Sequence, residues 1–293
     1  MSFVEELNSS HVHMKDPQYV DKIIKQMVQD GHEKLQVVAD FDRTLSKYSN
    51  KGKICSTCHN VMEESKVMPD SYKEKAKAYR DKYFPIEIDH SLTIDEKIPK
   101  MIEWWTNAHA LIKSVHMTQT DVTEMVQESS AQLRDNCQWF IDHLSKLEIP
   151  LLIFSAGIGD IIEEVIKQQS NMYNNMKIVS NYMDFDKNGK MQGFKGDIIH
   201  IYNKNENAIH SSDYFQRLKH RENLLLLGDS LGDLRMAEGA EFTQELKIGF
   251  LNHKVEESLE LYKANFDIVI VQDESLNVVN AITRTILNLP KSD

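Results

Sequence analysis

From residue 150 onward the chain alternates short apolar runs with amphipathic stretches. IPLLIFSAG precedes IGDIIEEVIKQQ, NLLLLGDS precedes LGDLRMAEG, and LKIGFL and FDIVIVQ add two more apolar runs, the last followed by ESLNVVNAITRTILNL. Buried strands alternating with helices predict a parallel, doubly wound sheet. The same rhythm occurs near the N-terminus. PQYVDKIIKQMVQD, at 17–30, reads as a helix with Asp16 as its cap, Pro17 in its first turn and Gly31 closing it. LQVVADF, at 35–41, then reads as a fully buried strand, rich in β-branched residues and without alternation.

Between about 50 and 149 the texture is different. SYKEKAKAYRDKYF, IDEKIPKMIEWWTNAHALIKSV and TDVTEMVQESSAQLRDNCQWFIDHLSKLE are charged, amphipathic and helix-like. Pro99 marks an early turn or kink in the second. In the third, Val122, Met125, Val126, Leu133, Cys137, Phe140, Ile141 and Leu144 recur at spacings of about three and four. The architecture this predicts is α/β: a Rossmann-like core from residues 1–49 and 150–293, with a helical cap, residues 50–149, inserted after the first long strand.

Composition narrows the function classes. With 41% hydrophobic and 27% charged residues the chain is an ordinary globular protein. A net charge of −11 argues against non-specific binding to nucleic-acid polymers or anionic membranes, although a local pocket can be basic enough for a single nucleotide. No apolar run approaches the roughly 18–20 residues of a membrane span, and MSFVEELNSSHVHMKD has no signal-type apolar stretch, so a cytoplasmic monomer is the expectation. Three cysteines fit a reducing compartment better than a disulfide framework.

In an open parallel sheet, ligands bind at the carboxyl ends of the strands. Three proposed strands end there in polar clusters: DFDRT (40–44), SAGIGD (155–160) and GDSLGD (228–233). Taken singly, each is a common turn or cap. Three on separate strands, in this order, resemble the motifs of haloacid dehalogenase-superfamily phosphatases: DxDxT after a strand, a later Ser or Thr, a Lys, and an acidic GDSxxD-type turn. FSAGIGD, SNYMDFD, GFKG, YNKN, GDSLGDLRMA and KIGFLN, with PIEID and EWWTNAH in the inserted block, are similar to the cytosolic 5′-nucleotidase III family from about residue 35 to the C-terminus.

That resemblance implies roles. Asp40 would be the nucleophile that forms an aspartyl phosphate, and Asp42 the group that protonates the leaving 5′-oxygen and later deprotonates water. Asp40, Asp42 and Asp229 would hold Mg²⁺, which offsets the charge of a phosphate dianion. Ser155, the Ala156-Gly157 backbone and Lys204 would bind the phosphate, with Thr44, Ser230 and Asp233 supporting. Without the resemblance, Lys195 in GFKG and Lys204 in YNKN are equal candidates for the cation.

Two motifs stand outside this scheme. CSTCH, at 55–59, fits a haem-attachment or zinc pattern, but an export route and a second ligand pair are both missing, so Cys55 and Cys58 read as buried or idle thiols. DFDKNG, at 184–189, resembles the start of a calcium loop, but its twelfth position is Lys195 where a bidentate Glu is needed; a hairpin turn through Asn188-Gly189 fits better.

The inserted block would recognise the nucleoside, with Glu87, Trp105 and Ala108 facing the base. The Trp104-Trp105…Ala108 pattern resembles the branch that prefers 7-methylguanosine monophosphate, whose cationic base gains from stacking on tryptophan. The implied function is a Mg²⁺-dependent 5′-nucleotidase acting on 7-methylguanosine monophosphate and CMP. A pyrimidine-specific nucleotidase or phosphotransferase, a small-metabolite phosphatase and a catalytically silent nucleotide-binding protein are the alternatives.

Overall fold

The computed structural model describes residues 2–89, 91–204 and 214–290; Asn205, which ends the YNKN motif, lies outside them. The chain opens with a two-residue strand β1 (Val12–His13), then α1 (Pro17–Asp30) and β2 (Leu35–Ala39). Helix α1 has the predicted limits for the predicted reason. The Asp16 carboxylate accepts the amides of Gln18 and Tyr19, each at 3.0 Å, and Gly31 leaves the helix at φ 82°.

The inserted region holds a small hairpin, β3 (Ser49–Asn50) and β4 (Lys53–Ile54), followed by α2 (Cys58–Glu64), α3 (Asp70–Glu87), α4 (Ile94–Lys113) and α5 (Gln119–Glu128). Helix α3 runs through Pro85, so Glu87 ends a helix rather than standing in a loop, and α4 continues through Pro99. The reading of 120–148 as continuously helix-like needs correction. Helix α5 stops at Glu128, where the Ser129 hydroxyl turns back onto the Val126 carbonyl at 2.9 Å. The chain then runs extended, with Leu133 bridged antiparallel to Ser46, before α6 (Cys137–Lys146) begins. Leu133 keeps the apolar spacing because it is buried in a bridge, not a helix.

The remainder alternates as expected: β5 (Leu151–Ile158), α7 (Gly159–Gln169), β6 (Met176–Asn181), the hairpin β7 (Met183–Phe185) and β8 (Met191–Phe194), α8 (Tyr214–Arg217), β9 (Asn223–Gly228), β10 (Gln244–Leu251), α9 (Val255–Asn265), β11 (Ile268–Val271) and α10 (Asn277–Ile286). The β7–β8 turn passes through Asn188-Gly189, with Gly189 at φ 75°, as its sequence predicts. After β9 the predicted helix shrinks to one 3₁₀ turn, Leu231–Arg235, wound around the Asp233 side chain.

The seven-stranded sheet has the order β1-β11-β10-β9-β2-β5-β6 and is parallel except for β1. From β2 the chain goes to β5 and β6 on one side, then crosses to β9, β10 and β11 on the other. The C-terminal end of β2 is therefore the switch point at which such sheets bind ligands. Both sheet faces are apolar, which is why β2 shows no alternation. Val37 and Ala39 pack with α1, α6, α7 and α10, whereas Val38 packs with Leu152, Leu224, Phe215 and Met236 on the other face. No described helix is long and apolar enough to cross a membrane.

Helix α4 is docked on β8 through His109, which stacks on Phe194 with ring centroids 3.7 Å apart. His109 is buried and its Nε2 has no hydrogen-bond partner among the described residues. Burial pushes its pKa down to about 3, so the folded protein holds it neutral. Because the unfolded chain binds this proton near pH 6.5 and the folded one does not, stability falls as pH drops below 6.5. A His109→Phe variant should therefore lose about 2 kcal/mol less stability than wild type between pH 6.5 and 5. Urea midpoints at the two pH values measure this, and parallel losses would refute it.

Candidate active site

Asp40 follows β2 directly, and its amide still bonds the Leu227 carbonyl of neighbouring β9 at 3.0 Å. Its side chain is buried, and its Oδ1 accepts Lys204 Nζ at 2.5 Å. The same ammonium reaches Asp233 Oδ1 at 2.8 Å. Of the two lysines open at the sequence level, Lys204 is thus the one at the carboxylates. Asp40, Asp229 and Asp233 each present a carboxylate oxygen within 4.8 Å of the others.

These acids are not equivalent. Asp233 Oδ2 accepts the Asp229 amide at 3.1 Å, the Ser230 amide at 2.9 Å and the Ser230 hydroxyl at 2.8 Å, while its Oδ1 takes Lys204. Four donors thus converge on this carboxylate, three of them sharing Oδ2. Gly228 makes the approach possible, since a Cβ there would lie 2.5 Å from Asp233 Cβ. Among the described residues, the Asp40 carboxylate accepts from Lys204 alone, and no side chain donates to the Asp229 carboxylate. Burial pushes Asp40 up to about 7 against the pull of Lys204. Asp229 is raised further, by burial and then by the charges of Asp233 and Asp40. Burial disfavours the Lys204 charge, yet Asp233 and Asp40 together hold its pKa above the usual lysine value. Hard, under-coordinated carboxylate oxygens crowded around one ammonium are a fitting donor set for a divalent cation.

The Asp42 carboxylate stands outside this group of three: its Oδ1 accepts the Cys58 amide at 3.0 Å, at the start of α2. Phe41, between the acids, is buried in the core. Thr44 is also buried, and its carbonyl is held by Arg134 Nε at 2.7 Å. On the other side of β2, Ser155, Ala156 and Gly157 lie in the last turn of β5, where the pairing with β6 shifts register. They form a bulge within the strand rather than a turn after it. Ser155 Oγ accepts the Gly157 amide at 3.1 Å, leaving its proton free to donate. The Ala156 carbonyl accepts Asn181 Nδ2 at 3.0 Å and the Trp105 indole N–H at 3.1 Å.

These groups line one cleft of about 390 Å³, which extends from the acids to α3 and α4. Glu87, Trp104, Trp105 and Ala108 form its far wall. Trp105 is the more buried tryptophan; Trp104 is half-buried and stacks on Tyr83, with centroids 5.8 Å apart. Burial pushes Glu87 up to about 7, opposed first by the charge of Arg43. Arg43, Tyr72, Tyr79 and His59 also line the cleft and were not singled out from sequence. For the aromatics, the signal available was their position on one face of α3, but only the fold shows which face looks into the cleft.

A parallel sheet with a buried Asp after its central strand, and a lysine and an acidic turn beside it, defines a haloacid dehalogenase-like hydrolase. The fold is shared with a phosphoserine phosphatase caught as a phospho-aspartyl intermediate analogue, at TM-score 0.51 and 14% identity, covering 84% of this chain and 96% of that one. Much nearer is cytosolic 5′-nucleotidase IIIB bound to cytidine, at TM-score 0.90 and 33% identity over 97% of this chain and 96% of that one. The family described as Pyrimidine 5′-nucleotidase (UMPH-1) matches residues 43–287. Among similar sequences, 7-methylguanosine phosphate-specific 5′-nucleotidase A of Xenopus laevis is 47% identical over 94% of this chain and 96% of its own length. The 7-methylguanosine phosphate-specific 5′-nucleotidase of Homo sapiens is 46% identical over 97% and 95%. The chain belongs to the pyrimidine 5′-nucleotidase family and is a phosphoric monoester hydrolase.

The charge balance of the site predicts how it responds to loss of the lysine. Lys204→Met leaves Asp40 and Asp233 buried without their cation, a change that costs about 3–5 kcal/mol. The urea midpoint at neutral pH in chelator should fall accordingly, and a divalent cation should restore part of it. An unchanged midpoint would show that Lys204 does not hold the acids together.

Proposed function

We propose that this chain hydrolyses 7-methylguanosine 5′-monophosphate to nucleoside and phosphate, with CMP as a second substrate. The observation that carries this is one cleft with the Asp40–Lys204–Asp229 constellation at one end and Glu87 with two tryptophans at the other, in a chain 45–47% identical to nucleotidases named for the methylated nucleotide. CMP follows from the 33% identical neighbour that holds cytidine and from the family description.

Asp40 attacks phosphorus with its carboxylate. As that bond forms, the bond from phosphorus to the 5′-oxygen breaks, and this oxygen takes the proton carried by Asp42. Water then attacks the aspartyl phosphate and gives a proton to Asp42, and the bond between phosphorus and Asp40 breaks. Lys204 offsets negative charge on the transferring group, and the Ser155 hydroxyl donates to a phosphate oxygen. Asp40 and Asp229 have the unused carboxylate oxygens that would hold Mg²⁺, the cation we assign to this site. Bound there, it supplies charge neutralisation that lets a dianion and a carboxylate approach. Asp233, with its donors already in place, and Ser230 keep the acidic turn wound.

Two measurements test the chemistry. Asp40→Asn should abolish turnover, since an amide does not form an acyl phosphate, and steady-state activity in that variant refutes the mechanism. Asp229→Ala should raise the Mg²⁺ concentration needed for half-maximal rate steeply, and Ca²⁺ should support turnover poorly because its looser shell misplaces the phosphate. Full activity in chelator overturns the metal assignment.

At the other end of the cleft, Glu87 offers a carboxylate to the amino and imino groups of a base, Trp105 or Trp104 offers a face, and Ala108 leaves room beside them. A charge-assisted hydrogen bond to a cationic base contributes about 1.5–3 kcal/mol. Glu87→Gln should therefore lower kcat/KM for the methylated nucleotide roughly tenfold or more relative to CMP. If the ratio of the two values stays fixed while both fall, Glu87 does not read the base.

A further inference from the structure

The CSTCH motif borders the active-site cleft, which Thr57 and His59 line. Cys58 is the first residue of α2, and its backbone N–H, one of the amides a helix leaves without an internal partner, donates to Asp42 Oδ1 at 3.0 Å. The thiol is buried beside the same carboxylate. A Cβ placed on Gly157 would lie 3.0 Å from Cys58 Sγ and 3.2 Å from Asp42 Oδ2, so sulfur, carboxylate and the β5 bulge meet at one point. Burial, and then the Asp42 charge, push the thiol well above its usual range, which keeps it protonated and able to donate. Helix α2 is seated independently of Asp42: the Ser56 amide donates to Ser130 Oγ at 3.0 Å, and Thr57 caps the helix.

We propose that Cys58 is the positioning residue for the acid/base carboxylate, and that its amide, with its thiol second, aims Asp42 into the cleft. An oxygen that accepts the amide is the one left unprotonated, so Oδ2 is the oxygen that carries the proton to and from the reacting groups. Because the anchor belongs to the first helix of the inserted region, Asp42 is competent only while α2 is seated on β5. This inference rests on the acid/base role assigned to Asp42 above.

The test separates amide from thiol. Cys58→Ala removes the thiol alone. Cys58→Pro removes the amide proton as well, and proline suits this position: it is the first of the helix, and Thr57 before it already has the extended backbone (φ −79°, ψ 172°) that a residue preceding proline needs. Each variant is assayed by rapid quench with CMP, whose alkoxide leaving group needs a proton, and with p-nitrophenyl phosphate, whose phenolate does not. Misplacing a general acid by about 1 Å costs on the order of 100-fold. Cys58→Pro should lower the first-step rate with CMP by about 10- to 100-fold, while Cys58→Ala lowers it about threefold or less. With p-nitrophenyl phosphate, Cys58→Pro should release a burst of p-nitrophenol and then turn over slowly, because only the second step still needs Asp42. Equal loss of the first step with both substrates, or no loss with either, overturns the proposal. Should Cys58→Pro not fold, Ser130→Ala, which loosens the seat of α2 without touching Asp42, decides: an unchanged ratio of first-step rates for the two substrates overturns it. Asp42→Asn in the same assay guards the premise. If it leaves that ratio unchanged, the acid/base role of Asp42 fails, whatever Cys58 does.

Discussion

Three carboxylates held within 4.8 Å of one another, with one ammonium among them, are the constraint on which the rest of this molecule depends. Buried like charges repel, and burial itself favours neutral carboxyls, which is why Asp40 and Asp229 are both raised. Only a rigid frame maintains such a cluster. The parallel sheet supplies it by ending β2 and β9 side by side, with Asp40 still hydrogen-bonded to Leu227. The acidic turn supplies the rest, since Asp233 accepts the amides of Asp229 and Ser230, and Asp229 lines the cleft. The deficit of positive charge that remains makes the cluster a fitting place for a metal ion.

A second network fixes the loop that carries Asp42. Arg134 is fully buried, yet among the described residues it meets no carboxylate closer than Glu274 at 3.9 Å. It donates instead to the carbonyls of Thr44 at 2.7 Å and Arg43 at 2.6 Å, to Asn252 Oδ1 at 2.8 Å, and to the Asp273 carbonyl, with Phe250 against its guanidinium face. Arg43 sits at φ 65°, a conformation that costs a residue with a Cβ roughly 1–2 kcal/mol. Ser46 and Asn252 hold it there together with Arg134. One buried cation thus ties the turn after β2 to the ends of β10 and β11, and the tight turn keeps the Asp42 carboxylate out of the Asp40 cluster.

How much of this was legible in the sequence follows from the range of each interaction. Helix α1, bounded by Asp16 and Gly31, is specified by neighbours in sequence, and so is the Asn188-Gly189 turn. The motif acids were legible because strand ends in a doubly wound sheet have only one place to go. What escaped depends on partners far away in the chain. Leu133 shares the spacing of a helix but pairs with Ser46 across the loop. Asp42 gave no sign in the sequence that an amide sixteen positions later donates to its Oδ1. Cys58 read as a buried or idle thiol, and it is buried, but no spacing rule reports that it lies beside a carboxylate.

The two ends of the cleft are also mechanically joined. The Trp105 indole donates to the Ala156 carbonyl, within the bulge that places Ser155, and Asn181 grips that carbonyl and the neighbouring Gly157 carbonyl at 3.0 and 3.2 Å. If its face takes the base as proposed, the same ring would couple that end of the cleft to the bulge that its N–H holds. Glu87 adds an electrostatic counterpart. With its pKa raised to about 7 by burial it is only partly ionised at neutral pH, so a cationic base would draw it toward the charged form, whereas a neutral base would not. On the proposed function, discrimination by charge would then be strongest where the base is cationic, and shape and stacking would be left to hold a neutral pyrimidine.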